Sequence, residues 1–515
     1  MPSESHSEHP RPHLPCEGEI RRNGRKSLLV MKFGGTSVGD ASCIGKVVEI
    51  VRAASHENDL VVVVSAMSGV TNKLIEAARY AEAGDHKSVA RTLEKLRQQH
   101  EAVTSALIHS AAERIRIVRE MQELLQEGDR LCQGTMLLRE LTSRALDSIS
   151  SLGERLSAPL VAAALMERGV ASEAIEATKL VVTDSYHGNA EPLMDPTRER
   201  CQARLRPLLH QGIVPVVTGF IGATAEGALT TLGRGGSDYS ATIVGAVLEA
   251  EEVIIWTDVD GLMSADPRLV PDAYPISEIS YHEAADLAHF GARVMHPKTL
   301  RAVMQCGIPL WIRNTFAPER SGTKITPAGS SNGAGVKALT AISDVALITV
   351  GGPGMAGVPE VLARTFATTA AIRADVLLVS HSSSQNHICL VVPLALAKRT
   401  AEALRREFAP NLTQEKVERV TVDPTLAIVT VVGKNLRGKS GIFGRTFGAL
   451  DRDKVNILAI AQGSSECSIS LVVAQKDLKA ALLAAHREFQ LGCAEFAGAS
   501  CEKPLQPACD AVLGI

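Results

Sequence analysis

Displaced by 81 residues, the chain falls into register with itself: Val345–Val392 lies on Leu426–Val473 without a gap, with 15 identities over 48 positions. The match includes Arg364-Thr365-Phe366 on Arg445-Thr446-Phe447 and Ser383-Ser384 on Ser464-Ser465. Identity held in one register calls for two copies of a small unit rather than one large domain. Each copy reads strand, Gly-containing loop, helix, strand, turn, strand, and a further helix follows at 394–407 and 475–487. That is an α+β unit of the split βαβ kind. Two such units commonly pack through their sheets, and a packing or dimerisation module without a ligand is one reading of the pair.

Ahead of the repeat the pattern changes. Leu28–Met31 reads as a strand, Lys32-Phe33-Gly34-Gly35-Thr36-Ser37 as the loop after it, and a helix runs on through about Arg52. Leu60–Val64 is a second apolar strand, followed by the small-residue turn Ala66–Asn72 and another helix. Repetition of strand, small-residue loop and helix is how an open parallel sheet presents ligand loops at the carboxyl ends of its strands. Aromatics make up only 3% of the chain, so the core must be built of Val, Leu, Ile and Ala, as buried strands prefer. The stretch from about His86 to Leu152 reads as helical, and Gly153–Ser157 opens a helix over Ala158–Arg168. Further strands are expected at Ala174–Ala177, Leu180–Thr183, Ile213–Thr218 and Ile308–Ile312, with helices near 197–210 and across His282–Cys306. The expected division is a disordered tail 1–26, a catalytic region 27–325, a Gly/Ser linker 326–335, the two copies at 336–415 and 416–494, and a tail 495–515.

The densest chemistry lies in Leu229–Pro267. The turn Gly233-Arg234-Gly235-Gly236 feeds a helix, with Ser237 or Asp238 as the expected N-cap, and Val253–Trp256 is a strand ending in Thr257-Asp258. Glycines let backbone N–H groups approach a phosphate, and a helix start favours an anion. The charges gathered at strand ends are Lys32, Glu154, Arg234, Asp238 and Asp258. Taken singly, each is an ordinary surface ion pair or cap. Their joint placement suits phosphoryl transfer, where catalysis is mostly positioning and charge neutralisation. Neither the P-loop nor the dinucleotide fingerprint is present, and no metal-ligand cluster appears. The net charge of −3 and the scarcity of aromatics argue against nucleic acid and anionic membrane as partners. Ten scattered cysteines without a C-x-x-C pair, and no apolar run of membrane length, lead to the expectation of a cytoplasmic protein with free thiols.

The phrases KFGGTSVGD (32–40), VVVVSAMSGVTNKL (61–74), GERLSAP (153–159), TLGRGGSDYSA (231–241), WTDVDGLMSADPR (256–268) and FGARVMHPKTL (290–300) make residues 27 to about 475 resemble the aspartokinases. The fold this implies is α/β: a mostly parallel amino-acid-kinase sheet sandwiched by helices, followed by two α+β, ferredoxin-like ACT domains. The resemblance implies transfer of the γ-phosphate of MgATP to the β-carboxylate of L-aspartate, giving 4-phospho-L-aspartate for lysine, threonine and methionine synthesis. The nucleophile is already ionised, which agrees with the lack of a general-base constellation. By resemblance, Lys32 stabilises the transferring phosphoryl group and Asp238 holds Lys32. Phe33, Gly34 and Gly35 cradle phosphate. Arg234 takes the substrate α-carboxylate and Glu154 its ammonium, with Thr71, Gly235, Gly236 and Ser237 completing that pocket. Thr257, Asp258, Met263, Arg268, Arg293 and Val294 match nucleotide-contacting positions. Mg²⁺ is held mainly by phosphates and water, with no protein metal site. The family often has Tyr at Met263 and Lys at Arg293; Met cannot donate a hydrogen bond, and Arg keeps the charge with other geometry.

The repeat, through VNILAIAQGSSECSISLVV (455–473), resembles the ACT pairs of threonine-responsive aspartokinases, where a Gln before each Ser-rich turn binds the effector. The second copy has Gln462; its mate under the 81-residue shift is His381. One dominant effector site or a weakened pair is therefore expected, with threonine favoured and lysine next. The phrase also resembles bifunctional aspartokinase–homoserine dehydrogenases, but with about 40 residues after the repeat no dehydrogenase is expected. A homodimer or higher homo-oligomer through the ACT sheets is expected. The competing readings are a catalytically weak, amino-acid-sensing regulatory subunit and a kinase of another amino-acid carboxylate.

Overall fold

A computed structural model of the chain describes residues 26–291, 295–329, 335–351, 358–382, 387–413, 419–436, 440–462 and 466–492. Both expected tails apart from Lys26, half of the expected linker, Arg293, Val294 and the Ser-rich turns of the repeat lie outside them. β1 (Ser27–Phe33) is followed by α1 (Ala41–Ser55) and by β2 (Asn58–Val64), which pairs with β1 in parallel. The helical run resolves into α2 (Val70–Ala83), α3 (His86–Leu107), α4 (Ala111–Leu138), α5 (Ser143–Ser150) and α6 (Leu152–Glu167). Next come β3 (Ser172–Ile175), β4 (Val182–Thr183), α7 (Met194–His210), β5 (Val214–Thr218), β6 (Ile221–Thr224), β7 (Leu229–Thr231), α8 (Gly236–Leu248) and β8 (Glu252–Thr257). β9 (Glu278–Ser280), α9 (Tyr281–His289), α10 (Pro297–Cys306), β10 (Leu310–Asn314) and β11 (Thr323–Thr326) complete this half.

The eight-stranded sheet runs β3-β5-β2-β1-β8-β10-β11-β9, parallel except where β10 meets β11. Alternation along its strands divides the core in two. Met31, Phe33, Leu60, Val62 and Val64 face one layer, packed by α1 through α6. Val30, Val61, Val63, Val253 and Ile255 face the other, packed by α7 through α10. β4, β6 and β7 form a small side sheet.

The repeat comprises β12 (Gly335–Gly351), α11 (Val358–Ala371), β13 (Leu378–Ser382), β14 (His387–Pro393) and α12 (Leu394–Thr413), then β15 (Arg419–Lys434), α13 (Ile442–Arg452), β16 (Ile457–Gln462), β17 (Ser468–Ala474) and α14 (Leu478–Glu488). The copies lie side by side in one antiparallel sheet, β13-β14-β12-β15-β17-β16. β12 pairs with β14 of its own copy over Val345–Gly351, while Gly335–Ile342 runs along β15 of the other. The shift of 81 holds in detail. Positive φ occurs at Asp344 and Thr425, and again at Arg373 and Lys454. Arg364 Nε donates to Glu407 (2.7 Å) and its guanidinium covers Phe408; Arg445 does the same to Glu488 (2.9 Å) and Phe489. This clamp extends the likeness beyond the aligned 48 positions.

The copies differ in their neighbours. The first has its own core between the sheet, Val361 and Leu404. The second shares its core with Ala265, Val270 and Ala273 of the catalytic half. Ser264 Oγ lies 3.2 Å from the buried His486 Nε2, and Leu339 N–H donates to Ser264 O at 2.7 Å.

Candidate active site

A cleft of about 530 Å³ opens at the carboxyl ends of β1 and β2. It gathers Lys32, Gly34, Gly35, Thr71, Glu154, Arg234, Gly235, Gly236, Ser237, Asp238 and Thr257 from five separate stretches of sequence. The first turns of α2, α6 and α8 reach it. α2 and α8 each have a left-handed glycine as N-cap (Gly69, φ 74°; Gly235, φ 68°) and no side-chain cap. The expected N-cap at Ser237 or Asp238 is therefore corrected: both residues lie in the first turn of α8. A Cβ on Gly235 would lie 2.7 Å from His296 Cβ. Of the helices whose first residues do not line the cleft, α1, α3, α4, α5 and α9 start with a capping side chain (Asp40, Asp85, Ser110, Thr142 and Ser280), whereas α7 and α13 do not. Uncapped helix starts leave N–H groups and positive partial charge for an anion.

Lys32, on central β1, meets Asp238 of α8 with Nζ to Oδ1 at 2.5 Å, both side chains nearly buried. The approach is a charge contact off the hydrogen-bond axis, and Oδ1 accepts no hydrogen bond. Glu154, in the first turn of α6, is 3% exposed, and its Oε2 has no partner. Burial pushes its carboxyl up to about 8, against the pull of backbone hydrogen bonds and of Lys32. Arg234 is exposed at the rim and has no salt bridge among the described residues. His296, behind Gly235, is held below the usual imidazole range by burial and by the charges of Lys298 and Arg234.

The remaining expected residues are placed differently. The Phe33 ring is in the core, stacked on Trp256 at 6.0 Å, and its carbonyl accepts from Ser65 N–H. Asp258 is exposed and accepts from Thr257 Oγ1. Met263 packs on the core of the second repeat copy, and Arg268 pairs at the surface with Asp266. Neither lines the cleft. His381 and Gln462 occupy equivalent, exposed positions on the edge strands β13 and β16. The sequence reading missed Ser65, Met67, Ser68, Asn72 and Phe220, which line the cleft. Phe220 holds φ 70°, rare for an aromatic residue. An aromatic between Gly219 and Gly222 in a strand-end turn is the signal that marks it.

This arrangement defines a class: a mostly parallel α/β sheet with an anion-suited cleft at its strand ends, followed by a duplicated α+β unit. The amino acid kinase family profile matches residues 27–314, and the ACT domain profile matches 348–408 and 429–489. The chloroplastic bifunctional aspartokinase/homoserine dehydrogenase 1 of Arabidopsis thaliana is 34% identical over 472 residues, 90% of this chain and 51% of that protein. The chain thus spans about half the length of the bifunctional relatives. Aspartokinase 1, chloroplastic, from the same plant is 30% identical over 89% of this chain and 80% of its own length. The crystal structure of E. coli aspartokinase III with aspartate and ADP superposes with a TM-score of 0.77 at 30% identity, covering 90% of this chain and 100% of that one. Its complex with lysine and aspartate gives 0.73 at 29%, over 90% and 99%. The chain belongs to the aspartokinases of the amino acid kinase family. Among the described residues no helix is long and apolar enough to cross a membrane.

Proposed function

We propose that the protein transfers the γ-phosphate of ATP to the β-carboxylate of L-aspartate. The observation that carries this reading is the convergence of the Lys32–Asp238 pair, unpaired Glu154 and unpaired Arg234 on one cleft that two uncapped helices enter. Arg234 forks onto the substrate α-carboxylate. Glu154 takes the ammonium and gives up its proton as it does so. Those two contacts fix the amino-acid end and leave the β-carboxylate to reach the phosphate. Being ionised already, that carboxylate needs no base. Lys32 neutralises charge building on the transferring oxygens, and Asp238 keeps it aimed. Gly35 and the start of α8 supply backbone donors for phosphate, while Gly34 N–H is already given to Trp256 O at 3.1 Å. Thr257 and Asp258 border the nucleotide. Met263 and Arg268 join it only if the segment 262–276, docked on the second repeat copy, shifts toward the cleft.

Mg²⁺ would supply charge neutralisation between phosphates. Among the described residues no three His, Cys, Asp or Glu side chains cluster as a metal cage. The ion would be held mainly through phosphates and water, with exposed Asp258, next to cleft-lining Thr257, as the candidate carboxylate.

The ACT pair senses an amino acid, threonine favoured and lysine next, through Gln462 and, more weakly, His381. Calorimetry finding two equivalent tight threonine sites per chain would refute the asymmetry. Exposed Leu458 and Ile460 on β16, with Val379 on β13, support pairing with a second copy through these edges. Sedimentation as a monomer at micromolar concentration would count against it.

The test is ATP-dependent phosphorylation of L-aspartate, trapped as the hydroxamate, with glutamate as the competing substrate and with or without threonine and lysine. Turnover of aspartate suppressed by threonine supports both halves of the reading. Threonine binding without turnover moves the weight to a regulatory subunit.

A further inference from the structure

We propose that Asp147, which does not touch the cleft, is a positioning residue that sets the separation between the ammonium-binding and α-carboxylate-binding groups. Resting on the aspartate-kinase reading, this names what holds its substrate pocket to size. Asp147 lies in α5 and is 2% exposed. Its carboxylate accepts four hydrogen bonds: from Thr231 N at 3.2 Å, Thr231 Oγ1 at 2.6 Å, Gly188 N at 3.0 Å and His187 Nδ1 at 2.9 Å. A carboxylate only accepts, so the His187 proton sits on Nδ1.

What these donors have in common is their place. Thr231 ends β7, three residues before Arg234. His187 and Gly188 belong to the loop 184–191, which presses on the same turn: Ala190 N–H donates to Thr231 O at 2.9 Å, and a Cβ on Gly233 would lie 2.5 Å from Asn189 Oδ1. At its other end Asp147 is built into the helix pair that carries Glu154, for its own carbonyl accepts from Ser151 N–H at 3.0 Å. One buried carboxylate therefore ties the Glu154 helix to the Arg234 turn. An amino acid needs its two binding groups at a fixed distance, and small misplacements of such groups are expensive.

Removing single donors tests this without deleting a buried charge. Thr231→Val and His187→Ala should each raise KM for aspartate about tenfold, leaving kcat within about twofold and KM for ATP unchanged. Thr231→Ser should restore KM. The control is Thr230→Val, next to Thr231 on β7, which breaks the buried 2.7 Å contact of Thr230 with Thr183 of β4. It should lower Tm without moving KM. An unchanged KM in both Thr231→Val and His187→Ala, or an equal rise in Thr230→Val, overturns the positioning role. A wild-type protein that neither binds nor phosphorylates aspartate defeats the functional reading, and this inference with it. An active wild type with indifferent variants defeats this inference alone.

Discussion

The two walls of the cleft each offer one buried carboxylate, and the two are kept in opposite conditions. On the α8 wall Asp238 stands 2.5 Å from Lys32, so each charge meets its counter-charge. On the α6 wall Glu154 is more deeply buried, yet it has a free oxygen and a carboxyl raised to about 8. The same side-chain chemistry is thus set to two tasks by environment. In the proposed reaction Asp238 holds a catalytic cation inside the protein, and Glu154 waits for a cation that arrives with the substrate.

Breaking the paired wall should have the largest effect. Lys32→Ala is expected to lower kcat by about a thousandfold or more, since it removes the charge that meets the transferring phosphoryl group. It also strands a buried Asp238, a change that costs about 3–5 kcal/mol. Asp238→Ala should be nearly as inactive through loss of the Lys32 anchor. Both variants should bind threonine as the wild type does. Steady-state kinetics beside calorimetry checks this, and near-normal turnover in either variant would remove the assignment.

On the unpaired wall the effect should fall on KM. Glu154→Gln keeps the shape and loses the charge, so KM for aspartate is expected to rise about a hundredfold, the value of a charge-assisted hydrogen bond. In the wild type Glu154 is protonated at neutral pH, and binding must expel that proton. KM should therefore fall about tenfold per pH unit on approaching pH 8 from below, then level off. The variant should lack this slope. A wild-type KM that is flat between pH 6.5 and 8 would mean that the carboxyl titrates where ordinary glutamates do.

The same contrast reverses sign when stability is read instead of activity. The folded chain holds the Glu154 proton where the unfolded chain has released it, because the folded value, about 8, lies above the ordinary 4.5. The stability associated with this group is fully present below pH 4.5 and is lost as pH rises through 8. Above pH 8 the buried carboxylate is charged with one oxygen unpartnered, a burden on the order of a few kcal/mol. Glu154→Gln should accordingly unfold at higher denaturant than the wild type at pH 9, while the two differ less at pH 5. Equal midpoints at pH 9 would deny the strain.

Much of this was legible in the chain, and the exceptions have physical reasons. Continuous runs such as Leu60–Val64 can only be strands buried on both faces, and the small-residue loops after them were visible as ligand loops. The repeat was legible because 15 identities, Arg364 with Arg445 among them, hold one register; the Glu and Phe of the clamp lie beyond that alignment. Asp147 was not, since its four donors come from residues 40, 41 and 84 positions away and no local pattern marks a carboxylate as a hub. The capping error at α8 arose because Ser-Asp is ordinarily a cap signal, and here an open helix start was needed instead. Met263 and Arg268 were read from a motif alone, and the packing of their segment against the second repeat copy is a long-range contact that no motif carries.

The smallest expected effect uses a third buried titratable group, outside the cleft, to sharpen the contrast. His100 lies in α3 among the helices that cover the sheet, with Nδ1 bonded to Leu96 O at 2.7 Å and Nε2 without a partner. Like Glu154 it is buried with one polar atom unmatched, and burial is again the main cause of its shift, here downward, aided by the Lys73 charge. The sign of the linkage is opposite. A histidine whose folded value is depressed contributes stability that is present above about pH 6.5 and lost as pH falls below it. His100→Leu should therefore flatten the acid side of the stability profile, by a few degrees in Tm between pH 7.5 and 5. It should leave both kcat and KM for aspartate alone, because nothing in the cleft touches this position. If His100→Leu instead changes the slope of KM with pH, then the titration near 8 does not belong to Glu154 alone, and the division of roles between the two walls fails with it.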